Sequence, residues 1–450
     1  MKFHPHPYQR EAIEFLADKQ QAALLLDPGA GKTAISLQHI HDHQYKTLVV
    51  APLRVIYGVW RQEAAKWDQF NGLTFALVHG SPKARLTALQ DDADVHLINP
   101  EALPWLLEQD LPEWDCLIVD ESTKFKNWSA KRTKAIRKLV PQFDSRVILT
   151  GTPTPNTIAD LFPQMFIADG GETLGKAITR FRMKYFVRGG FKGYEWILRG
   201  GATKQIEQAV APRAYRIDMN DHLDLPELLT NDIWVDMPDK IRSQYRKLEQ
   251  KMLLELPESR LVASNAGAKY LMCRQMANGF VYNKDKSFED LHSIKLEVVE
   301  SLIEELQGKP VIIAYQFDAD YVRLCAFLKR KVHRICGKTS GKETDELCRK
   351  WNEGRIDILA VQPQALSHGM NMQGAGNDII WLGLTDSLET YLQLNARLHR
   401  QGIQGSVRIH RILLEKTVDT LCHRRLESKD GTQKSLLNSL KEYRNAITEG

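Results

Sequence analysis

Leu24-Leu25-Leu26-Asp27-Pro28-Gly29-Ala30-Gly31-Lys32-Thr33 is the stretch that decides the fold. An apolar run enters a glycine turn, the turn ends on Lys-Thr, and a helical pattern follows. Glycines free backbone N–H groups to wrap phosphate oxygens, and the start of a helix adds partial positive charge. In such a loop Asp27, Gly29, Ala30 and Gly31 form the cradle. Lys32 reaches the β- and γ-phosphates, and the Thr33 hydroxyl holds Mg²⁺. The strict pattern has a further glycine where Leu26 stands, so this is the looser Gly-x-Gly-Lys-Thr form.

Downstream, Leu117-Ile118-Val119-Asp120-Glu121 is an apolar strand ending in two adjacent carboxylates. With the phosphate loop upstream, Asp120 is the expected Mg²⁺ partner, acting through water, and Glu121 the residue that orients and polarises the attacking water. ATP and Mg²⁺ are therefore the expected substrate and cofactor.

Around these two segments short apolar runs alternate with helical stretches. Ala22–Leu26, Thr47–Ala51, Val95–Ile98, Cys116–Val119 and Arg146–Leu149 read as buried strands. Ile35–His41 and Val55–Trp67 read as helices between them. Strand, crossover and strand again predicts a doubly wound α/β lobe, a parallel sheet with helices on both faces. After Lys309 the alternation returns with Val311–Tyr315, Ile356–Val361, Asn377–Leu382 and Val407–Leu413. The expected organisation is a first lobe at 1–168, its end with a basic aromatic hairpin at 169–230, a helical lead at 231–295, and a second lobe at 296–450.

Composition bounds the rest. The 450 residues are 43% hydrophobic and 26% charged, a globular balance with room for two or three domains. A net charge of +5 permits a nucleic-acid partner without implying one. Six cysteines lie scattered with no Cys-x-x-Cys pair, which reads as buried or idle thiols in a reducing cytosol. Met1-Lys2-Phe3-His4-Pro5 leads into no apolar stretch, and no run approaches the roughly 20 residues of a membrane helix. The expectation is a cytoplasmic protein of a bacterium or a phage-infected host, with no membrane partner.

Further segments carry a resemblance. The chain resembles superfamily-2 helicases of the Swi/Snf-type DNA translocase branch over nearly its whole length. Pro7-Tyr8-Gln9 is similar to that family's adenine-reading Q motif, where an amide pairs with adenine. Val49-Val50-Ala51-Pro52-Leu53, with Trp60, Glu63 and Trp67 beyond, resembles motif Ia, and Asn99-Pro100-Glu101 resembles motif Ib. Leu149-Thr150-Gly151-Thr152-Pro153-Thr154-Pro155-Asn156 is similar to motif III, which links the state of ATP to the lobe interface. Ser293–Leu296 and Val311–Phe317 resemble the run into motif IV, and Gly369-Met370-Asn371-Met372 the end of motif V. Gln393, Arg397, His399, Arg400, Gln401 and Gly402 carry the spacing of motif VI.

The resemblance implies two RecA-like lobes with nucleotide in the cleft and DNA running across both. Tyr8, Gln9 and Gly369 would join the phosphate loop in binding ATP. Arg397 and Arg400 would reach the γ-phosphate as arginine fingers, typically worth about 10³–10⁵ in rate. Pro52, Arg54, Asn99, Arg188, Lys192 and Asn371 would touch the nucleic acid, with duplex or branched DNA favoured.

Departures matter too. Motif II reads Asp120-Glu121-Ser122-Thr123 in place of Asp-Glu-Ala-His, so the histidine that relays to motif III is missing and Thr123 is its candidate substitute. Chromatin-reading modules are absent, a compactness that resembles helicases of phages and prophages. Replication and recombination roles are both compatible with it.

Between motifs III and IV, Arg180, Arg182, Lys184, Arg188, Lys192, Arg199 and Lys204 crowd a stretch that also holds Phe181, Tyr185, Phe186, Phe191, Tyr194 and Trp196. Tyr185–Arg188 and Tyr194–Leu198 read as a hairpin with a glycine-rich tip. Two readings stand. It is a wedge or duplex grip in which rings stack on bases, or a hairpin packed on the first lobe with its arginines solvated. His39, His41 and His43 read as a frayed polar helix end, and Arg424 to Arg444 as a solvated helical face.

The reading is a DNA-dependent ATPase that translocates on, unwinds or branch-migrates DNA. Its rivals are an ATP-gated DNA-binding subunit of a nuclease or restriction assembly, an RNA helicase and a small-molecule phosphate-loop kinase.

Overall fold

The computed structural model describes residues 1–53, 55–189, 195–217, 227–254, 260–366, 372–400, 403 and 405–448. Arg54, Lys192, Gly369 and Asn371 lie outside the described residues, as do Phe191, Tyr194, Gln401 and Gly402. Two compact units divide the chain: Met1–Leu223 with Lys429–Gly450, and Asp224–Ser428.

In the first unit the strands are β1 (Gln21–Leu24), β2 (Thr47–Val50), β3 (Phe75–Val78), β4 (Val95–Ile98), β5 (Cys116–Asp120) and β6 (Ser145–Leu149). A hairpin of β7 (Phe186–Gly189) and β8 (Glu195–Leu198) follows, then the two-residue β9 (Ala214–Tyr215). Apart from the hairpin they form one sheet in the order β3-β4-β2-β5-β6-β1-β9, parallel throughout. β2, β4 and β6 are buried at every position, as a sheet covered on both faces requires. Ala23, Leu48, Val50, Leu117, Val119 and Ile148 feed one core with Phe125, Ile136 and Phe162. Truncating such a leucine to alanine typically costs about 2–5 kcal/mol, so the strand ends stand on a rigid base. In the sheet β6 lies between β5 and β1. The segments leaving these three strands therefore emerge side by side at one edge.

The second unit holds β10 (Leu228–Val235), β11 (Phe280–Tyr282), β12 (Phe288–Asp290), β13 (Val311–Ala314), β14 (His333–Ile335), β15 (Ile358–Val361), β16 (Asp378–Trp381) and β17 (Val407–Leu414). β11 and β12 form a small hairpin. The others make a sheet in the order β10-β17-β16-β13-β15-β14, again parallel. Ile312, Ala314, Leu359 and Ile379 pack in one core while Val311, Ile313, Ile358 and Ile380 pack in another. Alternate residues thus serve opposite faces of the sheet. Each unit is a RecA-like lobe, and the doubly wound α/β expectation holds.

Several elements differ from expectation. β3, β14 and β10 have no counterpart among the expected strands. β3 and β14 are short edge strands, and the eight-residue β10, at the other edge of the second sheet, carries Thr230, Asn231 and Asp232 mid-strand. Edges tolerate polar residues, and that blurs the signal. β10 runs across the expected limit at 230/231, and the helix Val418–Thr448 spans the division between the units at Ser428 and Lys429. The expected helix Val55–Trp67 is a π-helix over Val55–Val59 continued by an α-helix over Trp60–Ala64. The helical stretch expected over Lys240–Ala277 comprises two helices, Asp239–Leu254 and Arg260–Asn278.

His39 corrects the frayed-end reading: the helix Lys32–His43 is intact there and His39 is 2% exposed. Its Nε2 lies 3.4 Å from Ser145 Oγ, and burial pushes its pKa down to about 4.

Candidate nucleotide site

The segment leaving β1 turns on Gly29 and Gly31, both at positive φ (92° and 77°), and enters the helix Lys32–His43. At Gly31 the left-handed φ favours glycine, and a Cβ there would push the Gln9 amide aside. Lys32 folds back on the loop, its Nζ donating to Leu26 O at 2.7 Å and Asp27 O at 3.0 Å. Burial lowers its pKa, and Glu121, Asp120 and Asp27 pull the other way. The ammonium is thus held among carbonyls and carboxylates in a dry setting, ready to exchange them for phosphate oxygens.

Gln9 braces the loop from outside. Its Oε1 accepts from His6 N at 2.9 Å and its Nε2 donates to Ala30 O at 3.3 Å. Tyr8 is buried, its carbonyl accepting from Tyr215 Oη at 2.9 Å. A residue without a sequence signal completes the base of the loop. Arg216 follows β9 and donates to Leu25 O at 3.1 Å and Asp27 Oδ2 at 3.2 Å. Its neighbour β9 is only two residues long, and no motif spacing marks it.

At the end of β5, Asp120 accepts from Trp60 Nε1 at 3.2 Å. Burial, then the neighbouring Glu121 charge, push its carboxyl up to about 6 against the pull of Lys32. Glu121 itself is left-handed, at φ 61° and ψ 58°. Its Oε1 accepts from Thr123 Oγ1 at 3.2 Å and Thr150 Oγ1 at 3.4 Å. Thr123 thus bonds Glu121 within its own segment, and the link to the segment that resembles motif III is made by Thr150. Thr150 starts the segment that resembles motif III, and Thr152 N donates back to its hydroxyl at 3.0 Å. A Cβ on Gly151 would approach Pro28 Cδ at 3.0 Å and Leu26 O at 3.1 Å. That segment therefore lies directly against the phosphate loop.

Lys32, Asp27, Gln9, Asp120 and Glu121 thus lie together in the first lobe. Thr33 is the second residue of the loop's helix. An oxygen donor set of Thr33 hydroxyl and Asp120 carboxylate suits a hard divalent cation. A cation there would also relieve the cost of ionising a buried Asp120.

Other expected site residues sit elsewhere. Asn99 donates to Glu101 Oε2 at 3.1 Å, and Pro52 O accepts from Val55 N and Ile56 N at the start of the π-helix. In the second lobe Arg397 is 4% exposed in the turn after the helix Leu388–Asn395. Arg400 Nε donates to Ala396 O at 2.9 Å, and burial draws its guanidinium down to about 10.

The hairpin is present, with Arg188 opposite Trp196 and Val187 opposite Ile197. Four of the segment's six rings follow the packed reading, and Phe191 and Tyr194 lie outside the described residues. Phe181, Tyr185 and Phe186 are buried in the first-lobe core, and Trp196 packs against that core. The Arg188 guanidinium covers the Trp196 ring at 4.3 Å. These four rings build the lobe, leaving Val187 and Ile197 on the outward face, 40% and 48% exposed.

A phosphate-type loop and a paired carboxylate on one parallel sheet, with a second lobe built on a parallel sheet following, are the architecture of helicase-type P-loop proteins. Comparison with known proteins narrows the class. The SNF2-related domain matches residues 8–183, and the helicase conserved C-terminal domain matches residues 294–402. Protein p41 of Acyrthosiphon pisum secondary endosymbiont phage 1 is 34% identical, over 98% of this chain and 99% of its own. The SWI/SNF-related matrix-associated actin-dependent regulator of chromatin subfamily A-like protein 1 of Xenopus tropicalis is 24% identical over 92% of this chain and 43% of its own. The DNA annealing helicase and endonuclease ZRANB3 of Homo sapiens is 24% identical over 97% and 40%. This chain spans less than half the length of those two relatives. Among solved structures, the Sulfolobus solfataricus SWI2/SNF2 ATPase core in complex with dsDNA has a TM-score of 0.45 at 19% identity, covering 99% of this chain and 97% of that one. The chain belongs to the SNF2-related helicase family.

Proposed function

We propose that this chain is a DNA-dependent ATPase that uses ATP hydrolysis to translocate on duplex or branched DNA. The observation that carries the reading is the single carboxylate oxygen of Glu121 held by two hydroxyls. One comes from its own segment (Thr123) and the other from the motif III segment (Thr150). With Oε1 pinned, Oε2 is the oxygen that orients and polarises a water for attack. Lys32 and the loop N–H groups hold the phosphates. Thr33 and Asp120 would hold Mg²⁺, which would supply positive charge beside the phosphates. Arg397 and Arg400 are assigned to the γ-phosphate. Pro52, Asn99 and Arg188 are assigned to DNA, together with Arg54, Lys192 and Asn371.

Relatives named as an annealing helicase and as a chromatin regulator favour a duplex substrate. A phage relative of nearly equal length favours the cytoplasm of an infected host as the setting. Among the described residues no helix is long and apolar enough to cross a membrane.

The test is ATP hydrolysis without polymer and with single-stranded, duplex, forked or four-way DNA and RNA, with Lys32→Ala as the blank. Stimulation of at least about ten-fold by duplex or branched DNA, lost in the blank, is expected, a tenfold rate being about 1.4 kcal/mol of barrier. Stimulation by RNA alone would make it an RNA helicase. No stimulation by any polymer would leave an ATP switch serving a partner.

A further inference from the structure

Ser122 and Gln164 form a contact that neither the motifs nor the resemblance assigns. Ser122 Oγ donates to Gln164 Oε1 at 2.7 Å. Gln164 Nε2 donates in turn to Pro153 O and to Asp160 O, each at 2.7 Å. Ser122 is wholly buried and Gln164 is 1% exposed. The amide orientation follows from its neighbours: two carbonyls need a donor, and only the NH₂ side supplies two. Reversing it would set carbonyl against carbonyl without water.

The two ends of this contact are functional segments. Ser122 directly follows Glu121, and Pro153 lies inside the Thr150–Asn156 segment that packs on the phosphate loop. Elsewhere in that segment, Thr152 Oγ1 and Thr154 Oγ1 are buried with no hydrogen-bond partner among the described residues. Buried hydroxyls without partners are costly and rare. They mark a segment with something to gain from a second arrangement.

We propose that Gln164 is a positioning residue that couples the Asp120–Ser122 strand end to the Thr150–Asn156 segment, in place of the relay the missing histidine would give. The proposal rests on the DNA-dependent ATPase reading. When the segment shifts, Pro153 O moves against Gln164 Nε2, and Oε1 carries the displacement to Ser122 and so to Glu121. The Thr150–Glu121 bond is a second, direct link between the same segments. Glu121 is thereby aimed only when the segment is in one of its two arrangements.

The experiment uses the full chain with Gln164→Leu, which keeps the bulk and removes the amide, Ser122→Ala, and the double variant. For each, kcat and KM for ATP are measured with and without duplex DNA, beside the unfolding midpoint. Gln164→Leu is expected to lower the DNA stimulation ratio on the order of ten-fold while KM stays within about two-fold. Ser122→Ala moves the same way, and the double variant is no worse than Gln164→Leu, because Gln164→Leu already removes the Ser122 bond. A merely structural role would lower the midpoint and leave the ratio alone. A ratio within about two-fold of wild type in both single variants, or losses that multiply in the double, overturns the proposal. If Gln164→Leu does not fold, Ser122→Ala decides by the same criterion. A wild type that no DNA stimulates overturns the ATPase reading and this proposal together. A stimulated wild type with unchanged variants overturns this proposal alone.

Discussion

His39 shows what burial does to a single titratable residue. Its ring lies 4.6 Å from that of His43, and burial, helped by His43, holds its pKa near 4. The folded chain therefore refuses a proton that the unfolded chain accepts near 6.5. Between those values the unfolded state binds more protons, so stability rises with pH there and is lost as pH falls. The loss runs to about 1.4 kcal/mol per pH unit below 6.5 at most. His292, also near 4, adds in the same direction. Acidification from pH 7 to 5 is expected to lower the unfolding midpoint, and His39→Gln to flatten that dependence. An unchanged slope in the variant would assign the acid sensitivity elsewhere. The sequence showed three alternating histidines and nothing of this, because whether a helix end is covered depends on Ser145, a hundred residues away.

At the scale of elements, the hairpin separates what composition can and cannot say. Its two strands were readable from alternation and the glycine tip. The fate of its rings was not, since interleaved aromatics suit a core as well as a base stack. Phe181 and Tyr185 fill the first-lobe core, so among the described residues of the hairpin the route to DNA is charge. Arg188 is exposed, its guanidinium flat on Trp196. Arg188→Glu is expected to weaken duplex binding by several-fold, about 1 kcal/mol for one phosphate contact, and to reduce the salt slope by roughly one. Polymer-free ATP hydrolysis serves as the control for folding. Binding and slope identical to wild type would remove the hairpin from the DNA path. The phosphate loop and the acidic strand end were legible because chemistry fixes their residue types. Arg216, Thr150 as a partner of Glu121, and Gln164 were not. Each acts through a contact made by tertiary folding.

For the molecule as a whole, two parallel lobes were visible as two runs of apolar alternation, and their buried strands account for that clarity. Edge strands β3, β10 and β14 were lost because they need no continuous apolar signal. The functional question at this scale is whether both lobes serve one reaction. Arg397→Ala and Arg400→Ala lie in the second lobe, away in sequence from every phosphate-loop residue. Each is expected to leave ATP affinity within about three-fold and to cut DNA-stimulated hydrolysis on the order of 10³-fold. Equal losses in affinity and rate would instead make them binding residues. Hydrolysis at the wild-type rate would leave the first lobe as a self-sufficient ATPase.

Glu121 sits in a backbone region that glycine occupies freely and that glutamate occupies at a cost of about 1 kcal/mol. Selection for heat resistance alone would thus welcome glycine at the position proposed to orient the attacking water. Any campaign to harden this protein must screen for turnover at every round, or its best survivors will be inert.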